Sequence, residues 1–134
     1  MKKLLLYAGL LLFYSTTGIQ AQHYIGLNKE ETRVLARKNG MFLDNMTVNR
    51  KFNYLKFVNS ADTRTLIVFF NEEDIAIHTR TVCDYSEFDL VIGEFDEKYK
   101  KKGKNEWEYK IDGDTYEITL EEQEWYFVYR IKKK

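Results

Sequence analysis

Proline is absent from the 134 residues, cysteine occurs once, histidine twice and glycine seven times. Each shortage removes a class of answer. A single cysteine cannot close an internal disulfide, so Cys83 is either one arm of an intermolecular bridge or a buried thiol. Burial is the expectation, because free cysteine commonly packs as a small hydrophobe. A zinc site asks for three or four closely spaced His or Cys ligands. The chain has only His23, His78 and Cys83 to offer, scattered along it, so no metal and no cofactor are expected. With so little glycine and no proline there is no disordered linker, no glycine-rich phosphate loop and no G-x-S-x-G nucleophile elbow. Charge of one sign is lacking too. Lysine plus arginine and aspartate plus glutamate each number 21, which leaves no global field to gather nucleic acid.

Aromatic residues are plentiful instead, at 16% of the chain with ten tyrosines and nine phenylalanines. They supply core mass to a small domain that no disulfide staples. The first residues, MKKLLLYAGLLLFYSTTGIQAQ, have the tripartite layout of a secretory signal peptide: Lys2 and Lys3, an apolar run from Leu4 to Tyr14, then small and polar residues. The expected cleavage lies between Ala21 and Gln22. The apolar run is shorter than the roughly 20 residues a bilayer span requires, and no later stretch is long and apolar enough to cross. Residues 1–21 are thus read as the signal and 22–134 as one domain. Removing the leader takes two basic residues and no acidic one, for a formal net charge of −2.

Two helices are predicted from their ends. In LNKEETRVLARKNG, Asn28 and Glu31 form a capping box, Leu27 is placed for a staple, Val34 and Leu35 form the inner stripe, and Gly40 ends the helix. In the second, Asp84 and Glu87 repeat the box. Phe88, Val91, Ile92, Phe95 and Tyr99 make the apolar stripe, Lys98 and Lys100 to Lys102 occupy the last turns, and Gly103 closes it. Strands are predicted elsewhere. Asp112-Gly113 is a type I′ hairpin signal that sets Tyr109 opposite Tyr116, Trp107 opposite Ile118 and Glu108 opposite Glu117. A loop over Glu121 to Glu124 would set Leu120 opposite Trp125 and Ile118 opposite Phe127. Upstream, NYLKFVN, RTLIVFFN and DIAIHTRTVC read as a second meander, with turns at Ser60 to Asp62 and Asn71 to Asp74. TLIVFF is apolar at every position after its first, as for a central strand covered on both sides. The segment MFLDNMTVNRK has room for one extra short strand. The fold class expected is α+β, an antiparallel sheet of about six strands with two helices, with an order that suits a duplicated αβββ unit.

The stretch IAIHTRTVCDYSEF raises the question of a Cys–His nucleophile pair. His78 and Cys83 stand five apart in one strand and so point to opposite faces, whereas a nucleophile and its base need hydrogen-bond reach. Ile75, Ile77, Thr79 and Thr81 go with Cys83, and Ala76, Arg80 and Val82 with His78. The acidic turns NEED and DGD lack EF-hand spacing and read as hairpin turns. Paired carboxylates for glycoside chemistry remain open as a small-hydrolase alternative, though no spacing singles out a pair. KYKKKGK is explained by a helix terminus more simply than by a nucleic-acid patch. What is left is the second face of the sheet, which offers Ile67, Phe69, His78, Tyr126, Val128 and Arg130. Aromatic and arginine residues are favoured at recognition surfaces; the alternative is that helices or the N-terminal segment cover this face.

The signal peptide, YIGLNKEE, NYLKFVN, VCDYSEF and the terminal EWYFVYRI together resemble small exported proteins of unknown function from Gram-negative bacteria. GLNKEE heading a helix before a meander is similar to the helix-plus-sheet units of small envelope lipoproteins and of beta-lactamase-inhibitor-like domains. The lipidation cysteine of such lipoproteins is missing here. The resemblance implies export, to the periplasm or the medium. The function expected is a non-enzymatic binding module for an envelope or extracellular protein or peptide, with a small hydrolase or a structural envelope component as alternatives.

Overall fold

The computed structural model describes residues 23–44 and 52–134. Ala21, Gln22 and the leader therefore lie outside the described residues, as does most of the segment after Leu43. Helix α1 spans Lys29–Lys38, followed by strands β1 Met41–Leu43, β2 Tyr54–Asn59, β3 Arg64–Phe70 and β4 Ala76–Asp84. A single 3₁₀ turn over Tyr85–Glu87 leads into helix α2, Phe88–Lys98, and then into β5 Lys100–Gly103, β6 Glu106–Ile111, β7 Asp114–Glu122 and β8 Tyr126–Lys133. Each half is one helix and a four-stranded meander. The halves join where β4 pairs with β8, giving one antiparallel sheet in the order β1-β2-β3-β4-β8-β7-β6-β5.

The sheet thus has eight strands where six are predicted, and both additional strands are edges. β1 is the short strand for which MFLDNMTVNRK leaves room. β5 occupies the lysine run read as a helix end. Helix α2 stops at Lys98 because Tyr99 turns extended (φ −122°, ψ 159°) and is buried, so the chain doubles back beside β6. Lysines suit that position, since their charge and hydration discourage further pairing at an open edge. Gly103 terminates no helix.

The capping box of α1 forms as read: Asn28 Oδ1 accepts from the Glu31 amide at 2.8 Å, and Glu31 Oε1 accepts from the Asn28 amide at 3.1 Å. Gly40 follows at φ +74°, the left-handed conformation that suits a glycine after a helix. The buried face of α1 is Thr32 and Ala36, with Leu35 partly buried, whereas Val34 is half exposed. The second box does not form. Asp84 accepts from the Ser86 amide to cap the 3₁₀ turn, and Glu87 reaches outward to the β2–β3 turn, taking the Thr63 hydroxyl at 2.7 Å and Arg64 Nη2 at 3.2 Å. Thr63 first, and Arg64 after it, hold the Glu87 carboxyl below the usual range against the opposing effect of burial. This stabilisation is complete above the unfolded value and is lost as pH falls through the lowered folded value. We expect Glu87→Gln to cost about 1–2 kcal/mol near neutral pH, with the gap to wild type closing in acid, as urea titrations across pH would show.

In the β6–β7 hairpin Asp112 and Gly113 take positive φ (51° and 84°), and the predicted register holds, Tyr109 opposite Tyr116 and Trp107 opposite Ile118. The β7–β8 register differs. β7 runs on to Glu122, and a tighter turn closed by the Gln123 amide to the Tyr126 carbonyl sets Ile118 opposite Ile131 and Leu120 opposite Tyr129. The shift is by an even number of residues, so the apolar face is kept.

Cross-strand rows place both helices on one side of the sheet. One row runs Phe57, Leu66, Thr81, Tyr129, Leu120 and the next Val68, Thr79, Ile131, Ile118, Trp107. Their outer ends belong to two hydrophobic clusters, one including Ala36 of α1 and one including Val91 and Phe95 of α2. The buried Thr79 and Thr81 stand between them.

Candidate binding face

The opposite face is built from alternate residues of the same strands, and the register lines them into three rows. The first runs Tyr54, Phe69, His78, Lys132, Glu117, Glu108; the second Lys56, Ile67, Arg80, Arg130, Thr119, Glu106; the third Phe42, Val58, Thr65, Val82, Val128, Glu121. Tyr126 continues this face beyond the third row, opposite Asp84. Among the described residues, both helices lie on the other side.

All six residues singled out from the sequence fall on this face. Ile67, Phe69, His78 and Arg130 are half-buried, and Tyr126 is 40% exposed. Val128 is only 1% exposed, so it is packed within the face and offers no surface to a partner. The double-sided apolar character of TLIVFF resolves in the same way: Leu66, Val68 and Phe70 are buried beneath α1, while Ile67 and Phe69 line a shallow depression with Phe52, Tyr54 and Lys56 on the helix-free side. Phe52 is 58% exposed there. His78 stacks on Phe69 with ring centroids 4.3 Å apart and 13° between planes. Burial, and then the charges of Arg130 and Lys132, lower its pKa, so at neutral pH it extends the aromatic patch as an uncharged ring.

Tyr54, Lys56, Phe42 and Arg80 belong to this face and were not singled out. The period-2 alternation in NYLKFVN carried the signal for the first two. For Arg80 the signal was its parity with His78. Alternation breaks once in β4: the register slips between Phe69 and Phe70, so Ala76 joins Thr79, Thr81 and Cys83 on the helix side while Ile77 is exposed. Strict alternation groups Ile77 with Cys83 and Ala76 with His78; the bulge exchanges them.

His78 and Cys83 lie on opposite faces. Cys83 is fully buried against the α2 cluster, and burial pushes its thiol up to about 12, so no thiolate forms to act as a nucleophile. The native protein should resist thiol reagents until it unfolds, and Cys83→Ser should cost about 2 kcal/mol by burying a hydroxyl where the thiol packed. Rapid labelling of the native state would contradict this.

A second concavity, of about 170 Å³, opens on the helix side at the threonine seam. Tyr24, Asn39, Arg64, Thr79, Thr81 and Tyr129 contribute its polar lining. The Asn39 amide donates to the Tyr24 hydroxyl at 2.8 Å, Tyr129 hydrogen-bonds Thr81, and Arg64 is held by Glu87. These groups satisfy one another, no carboxylate lines the cavity, and its volume falls below the roughly 300 Å³ at which small-molecule sites begin. Among the described residues no group of three His, Cys, Asp or Glu side chains converges as metal ligands would. The described carboxylates with resolved shifts, Asp74, Asp84, Glu87 and Glu108, all move down, whereas a general acid needs a raised value.

No family model, no curated protein and no solved structure matches the chain. Among the described residues no helix is long and apolar enough to cross a membrane.

Proposed function

We propose that the protein is an exported, non-enzymatic interaction module that binds an envelope or extracellular protein or peptide through the helix-free face of its sheet. The observation that carries this reading is the aromatic depression of Phe52, Tyr54, Ile67 and Phe69 on a face with no helix over it among the described residues. Contiguous apolar surface of this kind on a small domain marks an interaction site. The signal-peptide layout supports export, and a secreted chain beginning at Gln22, read by mass spectrometry, is the outcome expected. Among the described residues, the carboxylates with resolved shifts all move down, which lends the hydrolase alternative no support.

The test is affinity capture from envelope and secreted fractions with wild type, Phe69→Ser, and Val34→Ser on the outer face of α1. A protein retained by wild type and Val34→Ser but lost by Phe69→Ser is the expected result. Equal retention by all three, or by none, would remove the face from consideration.

A further inference from the structure

The second row of the helix-free face concentrates positive charge. Arg80 and Arg130 stand directly opposite each other on β4 and β8, a pairing that costs stability, because like charges across an antiparallel pair repel. Neighbouring cations are compensated: Lys132 meets Glu117 at 3.3 Å, Arg130 meets Glu121 at 3.4 Å and Lys56 meets Asp44 at 3.4 Å. Arg80 has no such carboxylate among the described residues, and its buried Nε has no hydrogen-bond partner. Within the three rows, β2, β3, β4 and β8 contribute no acidic side chain to this face.

Largely uncharged groups flank Arg80 along β3 and β4: toward one end Phe69 and its stacked His78, with Lys132 paired to Glu117 beyond them, toward the other Val82 and the Thr65 methyl. Successive same-face residues in a strand stand about 6.8 Å apart. An extended segment laid along β4 also turns every second side chain toward the face, with the same repeat. A carboxylate seated between the two guanidinium groups would therefore have apolar residues two positions before and two after it falling on the flanking rows.

Resting on the interaction-module reading, we infer that the occupant of this face is an extended protein segment of the pattern apolar-x-acidic-x-apolar, its carboxylate held between Arg80 and Arg130. Arginine suits this task because its planar donor fork matches a carboxylate bidentately. Binding relieves the arginine repulsion, so that cost carried by the free protein is recovered in the complex.

The experiment is selection from a displayed random peptide library on the purified protein, followed by affinity measurements on the enriched peptides. Enrichment of segments with an acid two residues from apolar positions is expected. Affinity should fall at least about tenfold in Arg80→Gln and in raised salt, and in Phe69→Ser as well. Arg80→Gln should melt at or above the wild-type temperature, whereas a structural arginine would lower it. Peptides lost in Phe69→Ser but indifferent to Arg80→Gln and to salt would overturn the acidic occupant and leave the interaction face standing. Peptides indifferent to both variants, or no enrichment, would overturn both readings. Binding to phosphatidylglycerol vesicles without peptide enrichment would replace the protein segment by a membrane surface.

Discussion

Phe95→Ala is expected to remove about 3–5 kcal/mol of stability, against the 5–15 kcal/mol typical of a whole domain. Phe95 is 1% exposed and meets Trp107, Tyr129 and Tyr99 with ring centroids at 5.2, 5.0 and 5.6 Å. The first two are edge-to-face contacts, each adding about 0.5–1.5 kcal/mol beyond area burial. Three separate strand or strand-end segments thus converge on one side chain of α2. Alanine would leave a void between rigid rings that have little freedom to close it, and helix α2 would keep only Val91 fully buried, with Phe88 and Ile92 partly so. A urea titration should show the midpoint falling sharply with the slope unchanged. A loss below about 1 kcal/mol would mean that α2 is anchored elsewhere.

Val128→Glu should be nearly as damaging, and Tyr126→Glu close to silent for folding, although the two residues are neighbours on one face. Val128 is 1% exposed, with Val82 opposite it on β4 and Glu121 opposite it on β7. A carboxylate there loses its hydration and faces a like charge, at a cost of about 3 kcal/mol or more. Both effects raise the new carboxyl's folded pKa. The penalty is therefore full above that raised value and shrinks as pH falls through it, so the variant should recover stability in mild acid. Tyr126, at 40% exposed, loses little on substitution, within about 0.5–1 kcal/mol. Thermal melts followed by circular dichroism at neutral and acid pH would separate the two. A folded, wild-type-like Val128→Glu would mean that position 128 is open to solvent.

These two substitutions mark the limit of what alternation reveals. Parity correctly assigned Val128 and Tyr126 to one face, but parity says which side a residue points to, not what lies over it. Burial depends on tertiary packing, which alternation along one strand does not carry. The candidate face was likewise legible as a set of positions and illegible as a surface. Ile67, Phe69 and His78 could be grouped from β3 and β4 by local hairpin reasoning. Their alignment with Arg130 and Lys132 required the β4–β8 pairing, which joins the two halves and which no turn encodes. The opposition of Arg80 and Arg130 follows from that pairing alone.

The errors had local causes. Lys100 to Lys102 suited a helix terminus by charge as well as they suit an edge strand, and burial of Tyr99 decided between the two. Glu87 had capping-box spacing, but the β2–β3 turn brought Thr63 and Arg64 within reach, and charge-assisted hydrogen bonds to them outcompeted one backbone amide.

By itself the sequence determined the α+β class, the capped start of α1, the Asp112-Gly113 hairpin with its register, and the separation of His78 from Cys83. All of these depend on dihedral preferences, side-chain period and groups within a few residues of each other. Only the tertiary structure decided that eight strands form one sheet, that β4 and β8 close it, that Val128 is sealed, and that two arginines face each other beside an aromatic depression. Those are contacts between segments far apart in the chain, selected by the summed burial of two cores, and no local pattern carries that sum.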